Sequence, residues 1–380
     1  MSTTTSEPLL YIDTQQGADD FLTDISGIRE IAVDTEGASF HRFIDRIYLL
    51  QISTRERSAI IDPLPIGMPA GLGQILEDND VEVVFHDADY DLRLLHQDYG
   101  WHVNRIFDTR IAAQLLGIKS FGLAALLEQF FDVKLDKKHQ RADWSLRPLT
   151  TGMLDYAAQD TKYLLDLRDQ LKAKLDTLGR WEWAREEFQR LEGTKWEEDD
   201  GAQSFLRIKG ARDLTRRELA LLRELVPWRD SVAKEIDRAT FRVMGNEVLL
   251  DIARTAPQTA KALSTMKGMP RGVLERGASA ILAAVTRGLE VAEENLPRFP
   301  RAPKWDREED FDERVAKLKT VRDAAATRLN LDPGVLCSRE RLEAIARKRP
   351  EKVGDLEDVP GLRRWQIGEM GEDFISALKG

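Results

Sequence analysis

The stretch EIAVDTE, residues Glu30–Glu36, decides the interpretation of the first half of the chain. Its short run of apolar, partly β-branched residues predicts a buried strand that ends in two carboxylates. Because side chains alternate between the two faces of a strand, Asp34 and Glu36 point the same way. Adjacent carboxylates repel each other unless a cation lies between them, and hard divalent cations prefer carboxylate oxygens. Taken alone, however, this pair indicates a solvated strand end.

Strand and helix signals alternate around this stretch. Short runs of Ile, Val, Leu and aromatic residues predict further strands at Tyr48–Ile52, Ala59–Ile61 and Val81–Phe85. From Asp108 onward, apolar residues recur at three- and four-residue steps, which predicts helices. One helix follows the N-cap residue Thr150 and runs through Leu165, and the last is Trp181–Leu191. Strands with helices interleaved and following indicate a mixed α/β domain over residues 1–193.

The second half of the chain contains two segments without hydrophobic periodicity. Residues 194–206 are acidic and contain glycine, which predicts a linker. Residues 295–304 carry proline at every third position, which suits an extended spacer. The helical patterns between and after these linkers predict two small all-α domains, at 207–294 and 305–380, which we call the first and second modules.

The two modules repeat each other in sequence. Ten residues recur 93 positions later without a gap; in the first module they are Arg229, Asp230, Ala233, Leu249, Ile252, Ala253, Arg254, Pro257, Leu263 and Gly268. A constant offset indicates a duplicated structural unit. The repeated pairs Arg229–Asp230 and Arg322–Asp323 are therefore expected to have a structural role rather than to contact a ligand.

Composition limits the possible classes of protein. The chain has 380 residues, 42% of them hydrophobic, and a net charge of −10, distributed as −15 over residues 1–204, +6 over 205–290 and zero over 301–380. The basic segment indicates either a solvated face or a nucleic-acid surface, whereas the neutral second module is expected to have a weaker or structural role. The lone Cys337 excludes an internal disulfide and a CxxC zinc site. Neither a signal peptide nor an apolar run of membrane-spanning length is evident, so a cytoplasmic location is expected.

A second group of polar residues stands where the predicted strand Val81–Phe85 gives way to a helix. It contains His86, Asp87, Asp89 and Asp91. Acidic residues at the start of a helix cap it and favour its dipole, which explains Asp87 and Asp89. Asp91 is therefore the expected metal ligand, and His86 is expected to orient or pack rather than to bind metal.

Tyr156 and Asp160 form a third group. Residues four apart share one face of a helix, so the phenol and the carboxylate point to one place. The alanines between them make a small face that permits close packing or the approach of a substrate. Standing alone, this pair is also explained by helix packing.

Together, the three groups resemble the DEDD exonuclease superfamily, and Tyr156 places the chain in its DEDDy branch. The segments Ile106–Ala113 and Asp143–Leu149 are similar to the ribonuclease D family, and the repeated modules resemble HRDC domains, which bind nucleic acids. The resemblance extends from about Leu10 to the last residue. It implies an α/β ribonuclease H-like exonuclease domain, a mixed sheet flanked by helices, followed by two all-α HRDC domains. Asp87 departs from the asparagine frequent in the superfamily and leaves the catalytic set intact.

The resemblance also implies an activity. The chain would be a metal-dependent 3′→5′ exoribonuclease that trims tRNA precursors and releases nucleoside 5′-monophosphates. Asp34, Glu36, Asp91 and Asp160 would hold two Mg²⁺ or Mn²⁺ ions, and Tyr156 would orient the attacking water. RNA with a free 3′ end is the implied partner. No membrane or obligatory protein partner is expected, and the chain is expected to act as a monomer.

Substrate specificity must come from other residues. Aromatic side chains stack on unpaired bases, and arginine contacts phosphate. We therefore expect RNA contacts from residues near the catalytic motifs and from basic residues of the first module, namely Phe40, His41, Arg141, Trp144, Arg147, Arg216, Arg217, Lys261, Lys267 and Arg271. For Trp144, packing in the core is an equal alternative.

Two rival functions follow from the same residues. A catalytically silent RNA-binding adaptor would be favoured by loss of any one catalytic residue, and the complete set argues against it. A DNA 3′→5′ exonuclease of repair or proofreading type would use the same carboxylates and tyrosine. Only a contact with the 2′-hydroxyl would separate RNA from DNA physically, and the sequence does not reveal one.

Overall fold

A computed structural model describes residues 9–136, 138–198, 201–300 and 308–379. The described chain forms two compact units. The sheet unit is drawn from 1–37, 47–196 and 306–380, so it contains the second module as well as the N-terminal half of the chain. The helical unit is drawn from 38–46 and 197–305 and contains the first module. In the described part of the chain, no helix is both long and apolar enough to cross a membrane.

The sheet unit is built on one mixed sheet of six strands in the described residues. The strands are β1 (Leu10–Ile12), β2 (Glu30–Glu36), β3 (Leu49–Ser53), β4 (Ser58–Ile61), β5 (Glu82–Phe85) and β6 (Ile106–Asp108). Their order is β1-β4-β3-β2-β5-β6. Strand β3 is antiparallel to both neighbours, and the other pairs are parallel. The predicted mixed sheet is thereby confirmed, and β2 lies in its middle.

Helices cover both faces of this sheet. They are α1 (Gln15–Asp24), α2 (Pro63–Ile66), α3 (Ala70–Leu76), α4 (Asp89–Tyr99), α5 (Thr109–Leu115), α6 (Leu123–Phe131), α7 (Thr151–Lys162), α8 (Leu164–Thr177) and α9 (Trp181–Glu192). Alternation along β2 directs Ile31 and Val33 into one apolar core and Ala32 into the other. Asp34 and Glu36 share the face of Ala32, so the carboxylates emerge on the side covered by α7 and α8.

Four helices of each module correspond, and the short helix Ala260–Ser264 of the first module is replaced by a 3₁₀ turn in the second. The first contains α10 (Arg216–Glu235), α11 (Thr240–Val243), α12 (Asn246–Thr255), α13 (Ala260–Ser264) and α14 (Arg271–Glu290), and the second α15 (Phe311–Leu329), α16 (Pro333–Leu336), α17 (Arg339–Lys348) and α18 (Arg364–Lys379). Short 3₁₀ turns lie at Ser204–Arg207, Ala211–Asp213, Glu293–Asn295 and Val353–Asp358. Helices α11 and α12 reappear as α16 and α17 at an offset of 93 residues. The duplication inferred from ten residues therefore extends to the helix boundaries.

The second module shares a hydrophobic core with the sheet domain. The rings of Trp183 on α9 and Trp365 on α18 stack with centroids 4.8 Å apart. The buried guanidinium of Arg180 donates to the Leu115 and Leu329 carbonyl oxygens, at 2.7 and 2.6 Å, and so joins the ends of α5 and α15. The module is thus an integral part of the sheet unit.

The segments predicted to be linkers are only partly spacers. Residues 199, 200 and 301–304 lie outside the described residues. Phe205, at the end of the acidic segment, is buried in the core of the helical unit, and Leu296 in the proline-rich segment is also buried. Polar composition hid these two apolar side chains, and burying them removes apolar surface from water.

Candidate active site

Three carboxylates from two elements meet at the end of β2. Oxygen atoms of Asp34, Glu36 and Asp160 all lie within 4.8 Å of one another. Asp34 and Glu36 leave the same face of β2, and Asp160 descends from α7, which packs against β2 and β3. All three side chains are partly buried. The arrangement concentrates oxygen ligands in a small volume, as a hard cation requires.

Asp91 stands beside this cluster and is held by the residue between the first two carboxylates. One oxygen of its buried carboxylate accepts from the Thr35 amide at 3.0 Å and from the Thr35 hydroxyl at 2.6 Å. Helix α4 therefore fixes Asp91 against β2, but the side chain is not one of the three whose oxygens converge. The sequence predicted four equivalent ligands, whereas the structure makes Asp91 different.

The carboxylates are electrostatically strained without a cation. Burial and the charge of Asp160 raise the pKa of Asp34 well above its usual value, and burial with three neighbouring carboxylates does the same for Glu36. Burial and Asp34 raise the pKa of Asp91, although Thr35 opposes the shift. Burial and Asp91 raise the pKa of Asp160 to about 7. Each group therefore favours a bound proton, or another positive charge, at neutral pH.

Tyr156 lies one helical turn before Asp160 and faces the same cavity. Its ring packs against those of Trp144 and His139, with centroid distances of 6.0 and 6.1 Å. Burial, followed by the charges of Asp160, Glu36 and Asp34, raises the pKa of its phenol above the usual value. The phenol consequently keeps its proton at neutral pH and is available as a hydrogen-bond donor.

A cavity of about 540 Å³ opens over these groups, and we call it the carboxylate cavity. Its polar wall includes His86, Asp87 and Arg110, and its apolar wall includes Phe121 and Leu123. Asp87 is ion-paired with Arg110, whose guanidinium also lies 5.1 Å from the centre of the Phe121 ring. The cavity thus combines charged and apolar surfaces, as a nucleotide with its phosphate would require.

The hydrogen bonds of His86 define its tautomer. Thr109 Oγ1 donates to the Phe85 carbonyl oxygen at 3.0 Å, so it accepts from His86 Nδ1 at 2.9 Å. Burial lowers the pKa of His86 to about 4, so the ring is neutral near pH 7 and its Nε2 is an acceptor. This placement fits the predicted orienting role better than metal binding through Nδ1.

The residues present fit divalent metal. Among the described residues, no lysine or arginine pairs with Asp34, Glu36, Asp91 or Asp160, so their negative charge is uncompensated by the protein. Gln51, which sequence analysis missed, lies opposite Asp34 in the β2–β3 ladder and is fully buried. Both polar atoms of its amide lack a hydrogen-bond partner in the described structure, so this buried amide beside Asp34 needs a further group to bind.

Two residues predicted to contact RNA near the catalytic motifs are committed elsewhere. Trp144 is only 1% exposed and packs behind Tyr156, so its ring has no face free for a base. Arg147 is ion-paired with Asp62 and donates to the Tyr48 carbonyl oxygen at 2.9 Å. Trp144 thus follows the core-packing alternative, and the RNA contact predicted for Arg147 is replaced by an ion pair within the fold, because proximity in sequence to a catalytic helix does not reveal burial.

Two arginines of the first module are likewise occupied. Arg216 donates to the carbonyl oxygens of Glu293 and Leu296, at 3.2 and 2.8 Å. Arg217 donates to the Leu289 carbonyl oxygen at 2.9 Å and to the Glu293 carboxylate at 2.6 Å. Arg217 binds carbonyls at the end of α14, where unsatisfied carbonyls attract cations, and Arg216 binds the segment that follows it, so neither supports the RNA contact predicted for it.

The remaining candidates are differently placed. Lys261, Lys267, Arg271 and Arg141 are exposed, as is Phe40, whose ring packs edge-on against Phe241 at 6.3 Å within the helical unit. His41 lies in the same unit, where its Nδ1 is 3.2 Å from the Arg242 guanidinium. The contacts of these residues with RNA stay predictions.

Family models match most of the chain. A model described as 3′-5′ exonuclease matches residues 9–176, and the HRDC domain model matches twice, at 218–285 and 311–378. Both ends of the second HRDC match lie 93 residues beyond those of the first, as the repeat predicts.

Individual proteins give the same result. The chain is 29% identical to Ribonuclease D of Granulibacter bethesdensis over 92% of this chain and 87% of that protein. Escherichia coli RNase D, described as an exoribonuclease involved in structured RNA processing, matches with a TM-score of 0.75 and 25% identity over 98% and 99% of the two chains. The catalytic core of RRP6 from Trypanosoma brucei matches with a TM-score of 0.66 and 31% identity over 76% and 81%. The chain therefore belongs to the 3′–5′ exonuclease family and is an exoribonuclease of the ribonuclease D type with HRDC domains.

Proposed function

We propose that the protein shortens RNA from the 3′ end by hydrolysis at the carboxylate cavity, using two Mg²⁺ or Mn²⁺ ions and releasing nucleoside 5′-monophosphates. The observation that carries this proposal is the convergence of Asp34, Glu36 and Asp160 within 4.8 Å, beside a buried Asp91. Four carboxylates without a protein cation are a stable arrangement only when external positive charge is supplied. Two bound divalent ions would supply that charge and stabilise the attacking and leaving oxygens.

The ligands have unequal roles. Asp34, Glu36 and Asp160 present oxygens to a common centre and would hold the ions directly. One oxygen of Asp91 binds Thr35, which leaves the other oxygen for a ligand. The same bonds hold in place the residue that lies between Asp34 and Glu36. Such anchoring pre-organises the cluster, so little rearrangement is required when ions bind.

Tyr156 orients the attacking water. Its phenol retains its proton at neutral pH because burial and the neighbouring carboxylates raise its pKa. A protonated phenol donates a hydrogen bond, so it positions a water oxygen rather than removing a proton from it. Trp144 and His139 both pack against the ring and thereby restrict the direction of the donor.

The 3′ ends of tRNA precursors are the proposed substrate. The similarity to a ribonuclease involved in structured RNA processing and the presence of two HRDC domains support a structured RNA. The carboxylate cavity combines an apolar wall at Phe121 and Leu123 with the carboxylates, which suits one nucleotide at a time. Monomeric action in the cytoplasm remains part of this proposal.

A 5′-labelled tRNA with a 3′ extension tests the proposal. We expect a ladder that shortens from the 3′ end with Mg²⁺ or Mn²⁺, disappears with EDTA, and is blocked by a 3′-terminal phosphate. A DNA oligomer of the same sequence as the extension should be a poor substrate. Equal trimming of DNA would favour a general or repair nuclease, and binding without cleavage under either metal would favour the adaptor.

A further inference from the structure

A second cavity of the sheet unit, of about 490 Å³, adjoins the carboxylate cavity. Helices α5 and α9 form one side, and α16, α17 and α18 of the second module form the other. Phe121 lines both cavities, so the two meet at this residue. We call this second space the arginine cavity, after the arginines on its wall, Arg190, Arg341 and Arg363.

Two of these arginines are compensated. Arg363 pairs with Glu187 at 3.1 Å, and Glu187 also accepts from the Trp365 indole at 3.0 Å. Arg190 lies 3.7 Å from the same carboxylate. The other acidic residue on the wall, Asp332, accepts from the Gly334 amide at 2.7 Å and so caps α16.

Arg341 has no direct partner. Within the described residues, its partly buried guanidinium makes neither an ion pair within 4.0 Å nor a hydrogen bond, and the Glu187 carboxylate acts on it only from a greater distance. Burial and then the positive charge of Arg363 lower the pKa of Arg341, although the Glu187 carboxylate opposes them, so the surroundings disfavour the positive charge of the guanidinium. The amide of Gln114 faces the same cavity, also without a partner in the described structure. Placing a half-buried arginine beside other arginines costs free energy of folding unless an anion balances its charge.

The internal repeat shows that the fold does not require this arginine. The equivalent position of the first module, 93 residues earlier, is Val248, which is buried in the core of the helical unit. Both side chains lie against the equivalent glycine: Val248 approaches Gly268, and Arg341 approaches Gly361. The same scaffold therefore accepts an apolar residue here, and the second module has a cation instead.

We propose that the arginine cavity binds a backbone phosphate of the RNA strand whose 3′ end occupies the carboxylate cavity, with Arg341 as the principal contact. This inference rests on the proposed function, because it extends the path of the same substrate past Phe121. Arginine suits the task because its planar group donates to two phosphate oxygens together. The second module would thus bind the strand upstream of the scissile bond, although its zero net charge predicted a weaker role.

Substitution of Arg341 by valine tests the inference, since valine is the residue that the first module uses. The matched control is Arg339→Val on the same helix, which removes the same charge from a side chain that is 83% exposed. Affinity for 5′-labelled single-stranded RNAs, from about two to about twelve nucleotides long, is measured in EDTA by fluorescence anisotropy at several salt concentrations. Hydrolysis of a dinucleotide with Mn²⁺ is measured separately.

The expected result is length-dependent. Arg341→Val should bind long RNAs about tenfold more weakly than the native protein and lower the salt slope by about 0.7, the loss of one phosphate contact. Dinucleotide hydrolysis should be unchanged, and Arg339→Val should resemble the native protein. Arg341→Gln, which keeps a polar side chain, should show the same loss if the valine variant unfolds early.

Two results would overturn the inference: native affinity of Arg341→Val at every length, or an equal loss at every length that includes the dinucleotide. Failure of the proposed function looks different. In that case the native protein would hydrolyse no RNA with either metal, whereas the comparison of affinities in EDTA would still report on Arg341.

Discussion

Neutralising one carboxylate of the site should stabilise the metal-free protein while abolishing its activity. Asp160→Asn is the most informative change, because burial and Asp91 raise the pKa of Asp160 to about 7 from an ordinary value of 3.8. A raised pKa means that the folded state binds the proton more tightly than the unfolded state does. The charged form of Asp160 therefore destabilises the fold, and an uncharged isostere removes that cost.

The size and pH dependence follow from this shift. A difference of about three pH units corresponds to about 4 kcal/mol when the group is charged in both states, and solvent in the cavity reduces this to about 2–4 kcal/mol. Below a pH of about 4 the carboxyl is protonated in both states and the advantage of the variant vanishes. The advantage of the variant grows as pH rises. It is complete above about 7, where Asp160 of the native protein is charged in the folded as well as in the unfolded state.

Thermal unfolding in EDTA measures the effect. At pH 8 we expect the midpoint of Asp160→Asn to exceed that of the native protein by roughly 5–15 °C, and by much less at pH 4. Saturating Mn²⁺ should reverse the order, because only the native site binds the ion fully. An equal or lower midpoint for the variant at pH 8 without metal would refute the reasoning.

Asp62→Asn is the matched control within the same unit. Burial alone would raise the pKa of Asp62, but Arg147, Tyr11 and the Leu64 amide together lower it. This carboxylate therefore stabilises the fold, and its neutralisation should lower the midpoint at pH 8. Opposite signs at these two aspartates would separate a functional carboxylate from a structural one.

Three further predictions follow from the same contacts. Tyr156→Phe should slow hydrolysis about a hundredfold with an unchanged unfolding midpoint, and full activity would reduce the tyrosine to packing against Trp144. The apparent affinity for Mn²⁺, measured by calorimetry, should rise as the pH increases through about 7, the raised pKa of Asp160, because protons must leave the carboxylates; a constant affinity would contradict the raised pKa values. Gly117→Ala should destabilise the sheet unit by more than about 2 kcal/mol in urea unfolding, since Gly117 has a φ of 76° and a Cβ there would lie 2.1 Å from the Asn330 carbonyl oxygen. A native-like midpoint would show that α15 does not dock there.

The central strands and the catalytic motifs could be predicted because their signals are local. The apolar run before Asp34 defines β2, and the turn-long spacing of Tyr156 and Asp160 defines one face of α7. Strands β1 and β6 were not predicted as strands, because three residues are too few to show alternation. The internal offset was the strongest long-range signal, since it predicted equivalent helices without any knowledge of packing.

What the sequence could not supply is the partner of each side chain. Asp91 looked like an ordinary ligand until the structure showed Thr35 bound to one of its oxygens. Trp144 and Arg147 had the right chemistry for RNA, but burial and the ion pair to Asp62 commit them to the fold. Conversely, Gln51 belongs to no motif. Only the structure shows that its unpartnered amide belongs to the residue opposite Asp34 on the neighbouring strand.

The most direct test of the account is to separate turnover from binding at Asp34. Hydrolysis of a 5′-labelled, 3′-extended tRNA would be compared between native protein and Asp34→Ala with saturating Mg²⁺ or Mn²⁺, alongside RNA affinity in EDTA. The account predicts that turnover falls by at least about a thousandfold while RNA affinity stays within a few fold, because Asp34 serves the reacting phosphate rather than the strand. Turnover within a few fold of the native rate would contradict the assignment of Asp34 to the metal site.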